Sequence, residues 1–207
     1  MKIIIFGATG SIGKKLVKQA LEQGHTVTAY VRDAAKLGID DAQLHPVIGD
    51  VLNARQVEEA VVGHDAVLCV IGAGRKGGVR AAGTQNIIKA MEATGVKRLI
   101  CQTSLGIGDS WHNLNWFWKT IMFGFLLRPA YEDHVQQEAY VRESKLDWTI
   151  VRPGDFIDGP RTGQYRHGFS PTDRSTKLKI SRQDVADFIL RQLFDTTYLH
   201  RTPGVSY

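Results

Sequence analysis

Short apolar runs alternate along the chain with stretches whose apolar positions recur every three to four residues. The runs fall at Lys2–Phe6, Thr26–Val31, Leu44–Ile48, residues 66–71, Arg98–Gln102 and residues 148–151, and their length and β-branched content read as strands buried on both faces. Between them Leu16, Ala20 and Leu21 form one helical apolar face, Val57, Ala60 and Val61 a second, and Ile87, Ile88 and Met91 a third. Gly24, Gly63 and Gly95 stand where these helices must stop, because glycine takes the left-handed stop conformation without a Cβ penalty. Strand–helix alternation with right-handed crossovers predicts an α/β protein with a doubly wound parallel sheet. At 207 residues the chain amounts to a single domain, without internal repeat or linker.

Two stretches break the alternation. Residues 105–129 follow the fifth strand and contain Trp111, Trp116 and Trp118, while residues 154–176 follow the sixth and carry Gly159, Pro160, Gly163, Gly168 and Pro171. Ligands of open α/β sheets lie beyond the carboxyl ends of the strands, so both segments are expected to wall a substrate pocket. The tryptophans have an equal alternative, an amphipathic helix packed on the sheet or on a second subunit.

The first strand runs directly into Gly7-Ala8-Thr9-Gly10-Ser11-Ile12-Gly13, with a helix expected from Ser11. Glycines so spaced between a strand and a helix allow a tight turn, close approach of a pyrophosphate and close helix–strand packing. This is the fingerprint of a Rossmann dinucleotide site, with phosphates held by the amides and dipole of the helix start. The second strand ends at Arg32, with Lys36 one turn later. An acid there would bind the ribose hydroxyl of NAD, whereas these cations suit the 2′-phosphate of NADP. Asp33 is read as the cap of the next short helix.

Composition narrows the remaining classes. The excess of 26 Lys and Arg over 21 Asp and Glu gives a charge of +5, with no basic run and no zinc-finger motif, so a phosphorylated cofactor is favoured and no nucleic-acid partner is expected. No two of the seven histidines lie within five positions, and neither Cys69 nor Cys101 has a ligand-spaced partner, so no metal is expected. Both cysteines sit in apolar runs and read as inert core thiols of a cytoplasmic protein. The longest later apolar run, residues 121–127, has seven residues between Lys119 and Arg128, which predicts no membrane partner.

Taken together, the glycine loop, Val31-Arg32-Asp33, Gly49-Asp50-Val51, Asp65-Ala66-Val67, Thr103-Ser104 and Ile150-Val151-Arg152-Pro153-Gly154 resemble the atypical short-chain dehydrogenases/reductases of the NmrA-like type. Among these the sequence is most similar to the biliverdin IXβ reductase (flavin reductase) family. The likeness extends to Thr162-Gly163-Gln164-Tyr165 and residues 180–186. It implies that Gly7, Thr9, Gly10, Ser11 and Ile12 bind the pyrophosphate, Arg32 and Lys36 the 2′-phosphate, and that Asp50 and Val51 flank the adenine. Gly72 and Ala73 would pass under the nicotinamide ribose, Thr103 and Ser104 would lie beside the nicotinamide and substrate, with Ser104 as the catalytic positioner, and Pro153 and Gly154 would abut the carboxamide. Without the resemblance, Asp50 reads as a turn cap and Ser104 as a helix cap.

The Tyr-x-x-x-Lys pair of a typical short-chain dehydrogenase is missing. In the helix around residues 131–138, His134 takes the lysine position and Ala130 the tyrosine position. Tyr131 is rotated about a hundred degrees away, and His134 with Glu138 reads as a hydrogen-bonded structural pair. A conjugated acceptor needs least help, since the charge developing on it is delocalised and solvent can supply the proton. The expected function is therefore NADPH-dependent hydride transfer to a flavin (FMN or FAD) or a biliverdin-like linear tetrapyrrole, by a monomer or weak homodimer. Arg128, Arg166 and Arg174 are possible anion partners of the acceptor, more simply read as surface arginines. Two alternatives stay open: a non-catalytic NADP-sensing regulator, and an NADPH-dependent reductase or isomerase of other small carbonyl, quinone or sugar-nucleotide substrates.

Overall fold

Ile3 and Ile5 pack into one apolar layer while Ile4 and Phe6 pack into the other, as the two-residue period of a strand covered on both faces requires. The computed structural model describes all 207 residues. Its elements are β1 (Lys2–Phe6), α1 (Gly13–Glu22), β2 (Thr26–Val31), β3 (Leu44–Ile48), α2 (Ala54–Val61), β4 (Ala66–Cys69), α3 (Val79–Thr94) and β5 (Arg98–Gln102). There follow α4 (Arg128–Glu143), β6 (Asp147–Pro153), β7 (Asp155–Ile157), β8 (Arg166–His167), β9 (Lys179–Ser181), α5 (Arg182–Arg191) and β10 (Gly204–Ser206).

The main sheet has eight strands in the order β3-β2-β1-β4-β5-β6-β10-β8, all parallel except β8. Helices α1 and α5 cover one face and α2, α3 and α4 the other. The chain thus folds as the single doubly wound domain that its pattern predicts, and the strand order reverses between β1 and β4, where such sheets bind ligands. Gly24, Gly63 and Gly95 all have positive φ, matching their expected role as helix stops.

Several boundaries differ from the pattern-based expectation. Helix α1 starts at Gly13 with Ile12 as its cap, two residues after Ser11, because Ser11 and Ile12 complete the glycine turn. Strand β4 ends at Cys69 rather than 71, as Val70 and Ile71 leave the ladder toward the site. Strand β6 runs on to Pro153 because Arg152 and Pro153 pair with Gly204 and Val205 of β10. The cysteines face each other across β4 and β5, both free and buried.

The two irregular segments behave differently. Residues 105–129 form a 3-10 turn (Gly108–Asn113) and a widened helix of π type (Trp118–Leu126) that leads into α4. Most of residues 154–176 is stitched to α5 instead of arching over the sheet: Thr162 and Gly163 donate backbone N–H bonds to Asp184 at 2.8 and 2.9 Å, and the Tyr165 hydroxyl donates to Asp187 at 2.6 Å. Burial raises the pKa of Asp184, but bonds from Tyr207, Thr162 and Gly163 outweigh it and hold the carboxyl below its usual value. The expectation that the whole second segment walls a pocket is therefore corrected.

Candidate active site

A cavity of about 690 Å³ runs along the carboxyl ends of β1, β4, β5 and β6. At the β1 end, the turn after Phe6 is closed by a bond from the Gly10 N–H to the Gly7 carbonyl at 2.9 Å, and the amides of Thr9, Ser11, Ile12 and Gly13 donate to no backbone carbonyl. The three glycines of the loop differ in what forbids a side chain. A Cβ on Gly7, whose φ is +88°, would lie 2.5 Å from the Val70 carbonyl oxygen, and one on Gly13 would lie 2.1 Å from that of Gly7. Gly10 meets only the Gly7 oxygen at 3.1 Å and is exposed at the cavity. Gly7 and Gly13 thus serve the fold, while Gly10 leaves space for an anion in front of free amides. These residues fit a pyrophosphate.

Arg32 lines the same end, exposed and without a side-chain partner. Lys36 does not join it. The 3-10 turn Ala34–Lys36 is capped by Asp33, whose side chain accepts from the Ala35 amide at 3.1 Å, and Lys36 folds back to within 3.7 Å of Asp33. Asp33 is the cap expected of it, and Lys36 lies outside the cavity lining. Asp50, Val51, Gly72 and Ala73 all line the cavity. Asp50 also accepts from the Leu52 amide at 3.0 Å through one oxygen, so it acts as a turn cap as well. Tyr30 joins them from below, its hydroxyl donating to the Asp50 carbonyl at 3.1 Å across the space that Gly49 leaves.

At the β5 end Thr103, Ser104, Pro153 and Gly154 line the cavity. Ser104 is half-buried and its hydroxyl makes only a local 3.1 Å bond to the Leu105 carbonyl, which leaves it available. The Thr103 hydroxyl is not available, because it donates to Glu138 at 2.8 Å. Glu138 in turn receives Arg152, with Nε at 2.9 Å and Nη2 at 2.6 Å, and Arg152 reaches Asp109 at 2.5 Å. This buried network joins β5, β6, α4 and the 3-10 turn just behind Ser104. It also corrects the expected pairing of Glu138 with His134.

His134 bonds instead to Gln137, through Nδ1 at 2.9 Å, and lines the cavity. The Gln137 amide nitrogen donates to Thr84 at 3.0 Å and Cys101 at 3.3 Å, so its carbonyl oxygen faces the imidazole and accepts from Nδ1–H. The other ring nitrogen, Nε2, is then an acceptor. Burial, and then the charge of Arg80, lower the His134 pKa to about 4. The ring is neutral near pH 7 and has no proton on Nε2 to give. Tyr131 is outside the lining, packed on Trp111 and Phe123 with ring centroids 5.6 and 5.3 Å away.

The pKa of His134 has a consequence for stability. Between pH 7 and pH 5 the unfolded imidazole takes up a proton that the folded one refuses, so stability falls with pH by about 2 kcal/mol from this group. Urea unfolding at both pH values should show His134→Gln losing less than wild type by about that amount. Equal losses would contradict the neutral ring.

Leu114, Trp118, Phe123 and Leu127 from the first irregular segment, with Phe156 and Leu178, give this end of the cavity an apolar wall. The tryptophans divide: Trp118 faces the cavity, Trp111 packs under Tyr131, and Trp116 is exposed. Arg128, Arg166 and Arg174 do not reach the cavity. Arg128 pairs with Glu132 and Arg166 with Asp173 on the surface. Sequence reasoning missed Arg80, which is buried in the wall and holds the Gly74 and Lys76 carbonyls at 2.7 and 2.9 Å while pairing with Asp133. Nothing in the local sequence distinguishes it from an ordinary helix arginine.

Residues 7–196 match the model of a family described as NAD(P)H-binding. An uncharacterized chloroplastic protein of Arabidopsis thaliana is 29% identical over 213 residues, which cover 93% of this chain and 71% of the relative. Among solved structures, a short-chain dehydrogenase/reductase of Veillonella parvula in complex with NADP covers all of this chain and 94% of its own, with a TM-score of 0.85 at 22% identity. An anaerobillin reductase of Escherichia coli O157:H7 covers all of this chain and 97% of its own, with a TM-score of 0.81 at 24% identity. These two likenesses are of fold.

Proposed function

From the premise that the chain belongs to the NAD(P)H-binding family, we propose that it is an NADPH-dependent reductase of a conjugated acceptor, a flavin or a biliverdin-like linear tetrapyrrole, of the NmrA-like and biliverdin IXβ reductase type. The observation that carries this reading is the β5 end of the cavity. Its wall is apolar and aromatic, Ser104 offers a hydroxyl, His134 is neutral with an acceptor nitrogen, and Tyr131 is packed away. A small isolated carbonyl would need a proton from the protein as it accepts hydride, whereas a conjugated ring system spreads the charge and takes its proton from solvent.

NADPH, when bound, would supply the hydride. The free amides of Thr9, Ser11 and Ile12 and the gap at Gly10 would hold its pyrophosphate. Arg32 would face the 2′-phosphate, with Asp50 and Val51 at the adenine, Gly72 and Ala73 at the second ribose, and Pro153 and Gly154 at the carboxamide. Ser104 would orient the acceptor, and Leu114, Trp118, Phe123 and Phe156 would cover its flat surface and exclude water. Proximity and orientation are the protein's main contributions. The E. coli anaerobillin reductase shares the fold, in keeping with a reductase.

NADPH consumption on addition of FMN or biliverdin tests the reading, and a folded protein that binds NADPH but reduces neither would favour the regulator. Tyr131→Phe and His134→Ala should each leave single-turnover hydride transfer within about tenfold of wild type, since loss of a true general acid costs about 10²–10⁴-fold. A thousandfold loss in Tyr131→Phe with nucleotide affinity intact would restore the carbonyl-reductase alternative. Arg32→Ala should remove most of a preference for NADPH over NADH, by roughly ten- to a hundredfold, as expected for one charged hydrogen bond. Equal wild-type affinities in a direct titration would overturn the choice of NADP.

A further inference from the structure

The widened helix Trp118–Leu126 is apolar on both sides, and only one side is covered. In a helix of this width, residues four to five apart share a face. Trp118, Phe123 and Leu127 turn inward to line the cavity. The outer side carries the exposed Phe117, Phe125 and Leu126, with the half-buried Ile121 between them and Trp116 just before. Phe125 is 79% exposed, Trp116 69% and Phe117 50%. A helix facing water carries polar side chains on its outer stripe, and one that is apolar all round is normally buried all round. Large aromatic side chains left exposed together on one short segment mark a contact.

The surrounding charges indicate what covers it. No Asp or Glu occurs between Asp109 and Glu132, while Lys119 and Arg128 flank the run. The loop of residues 72–78 brings further cations to the same corner: a Cβ on Gly77 would lie 2.6 Å from the Pro129 carbonyl oxygen, and the adjacent Arg75 and Lys76 are exposed. Glu132 offsets Arg128 at 2.9 Å, and Lys119 is half-buried with its Nζ over the Trp111 ring, which leaves Arg75 and Lys76. A second copy seated here about a two-fold axis would set like charges against each other. An anionic lipid surface accommodates an aromatic wedge and a basic rim together.

We propose that this outer face docks on an anionic membrane surface, with Trp116, Phe117 and Phe125 entering the headgroup boundary and Arg75 and Lys76 meeting lipid phosphates. This revises the expectation of no membrane partner, which considered only spanning. The contact is peripheral, since no helix is long and apolar enough to cross a membrane. Because the inner side of the same helix walls the cavity, docking brings the cavity to the lipid boundary.

Co-sedimentation with vesicles of phosphatidylcholine, alone or with about one third phosphatidylglycerol, tests this, together with sedimentation velocity without lipid. Wild type should bind the anionic vesicles at least roughly tenfold more strongly than neutral ones, and lose that advantage in high salt. W116S/F125S should weaken partition by about ten- to a hundredfold, and R75Q/K76Q by about tenfold or more. Both should keep wild-type circular dichroism and NADPH affinity, because none of these side chains lines the cavity. A wild type that ignores anionic vesicles, or partition unchanged in either variant, would overturn the proposal. So would a lipid-free dimer dissociated by W116S/F125S, which would assign the face to a second copy.

Discussion

Gly10→Val is expected to abolish NADPH binding in a protein that still folds. A Cβ here approaches only the Gly7 carbonyl oxygen, at 3.1 Å, so the turn needs to open by a few tenths of an ångström. The valine methyl groups would then occupy the space in front of the unpaired amides of Ser11 and Ile12, which a phosphate must enter to reach them. Losing several charge-assisted hydrogen bonds at about 1.5–3 kcal/mol each takes affinity beyond ordinary titration. Gly13→Val is the contrasting control: its Cβ would sit 2.1 Å from the Gly7 oxygen, so it should destabilise the β1–α1 junction itself. Calorimetric titration of NADPH, with thermal unfolding of both variants, separates the two effects. NADPH affinity retained in folded Gly10→Val would place the phosphates elsewhere.

The largest loss of stability is expected from Glu138→Ala. Arg152 is 1% exposed and depends on Glu138 for two of its three short bonds, the remaining one going to Asp109. Removing the carboxylate leaves a buried guanidinium facing a cavity, and also strips the Thr103 hydroxyl of its acceptor. Breaking one side of a buried ion pair costs about 3–5 kcal/mol, a large share of the roughly 5–15 kcal/mol that holds a typical domain folded. Replacing both partners, as in Arg152→Met with Glu138→Leu, should recover much of that loss, because no unpaired charge is then buried. Urea unfolding of wild type and the two variants checks the pattern. A double variant no more stable than Glu138→Ala would show that the network contributes through shape more than through charge.

Both predictions concern the difference between what residue order alone dictates and what folding adds. The parallel sheet, its helix stops and the glycine turn were legible because each depends on local rules: the two-residue alternation at Ile3–Phe6, glycine at the left-handed stops, and a strand, glycines and helix in direct succession. Asp33 was readable as a cap for the same reason, since it bonds two residues away. Arg32 reaches the cavity simply because it follows the last residue of β2.

What local order did not decide was every feature that depends on distant partners. The glycines of one motif divide into closely packed and cavity-facing ones only when Val70, far along the chain, packs against Gly7. Glu138 and His134 share a helix face in sequence, yet Arg152 and Gln137 claim them separately, because a buried guanidinium and a buried amide each require a partner. Residues 162–165 resemble a substrate segment but satisfy α5 through Asp184 and Asp187. The apolar run at 121–127 shows its two faces only once the helix has widened and one side has met the cavity. Periodicity and backbone chemistry therefore determined the scaffold and the glycine turn, whereas the β5 end of the cavity was decided by tertiary packing, which sets where each buried polar group finds its bond and which apolar surface is left over.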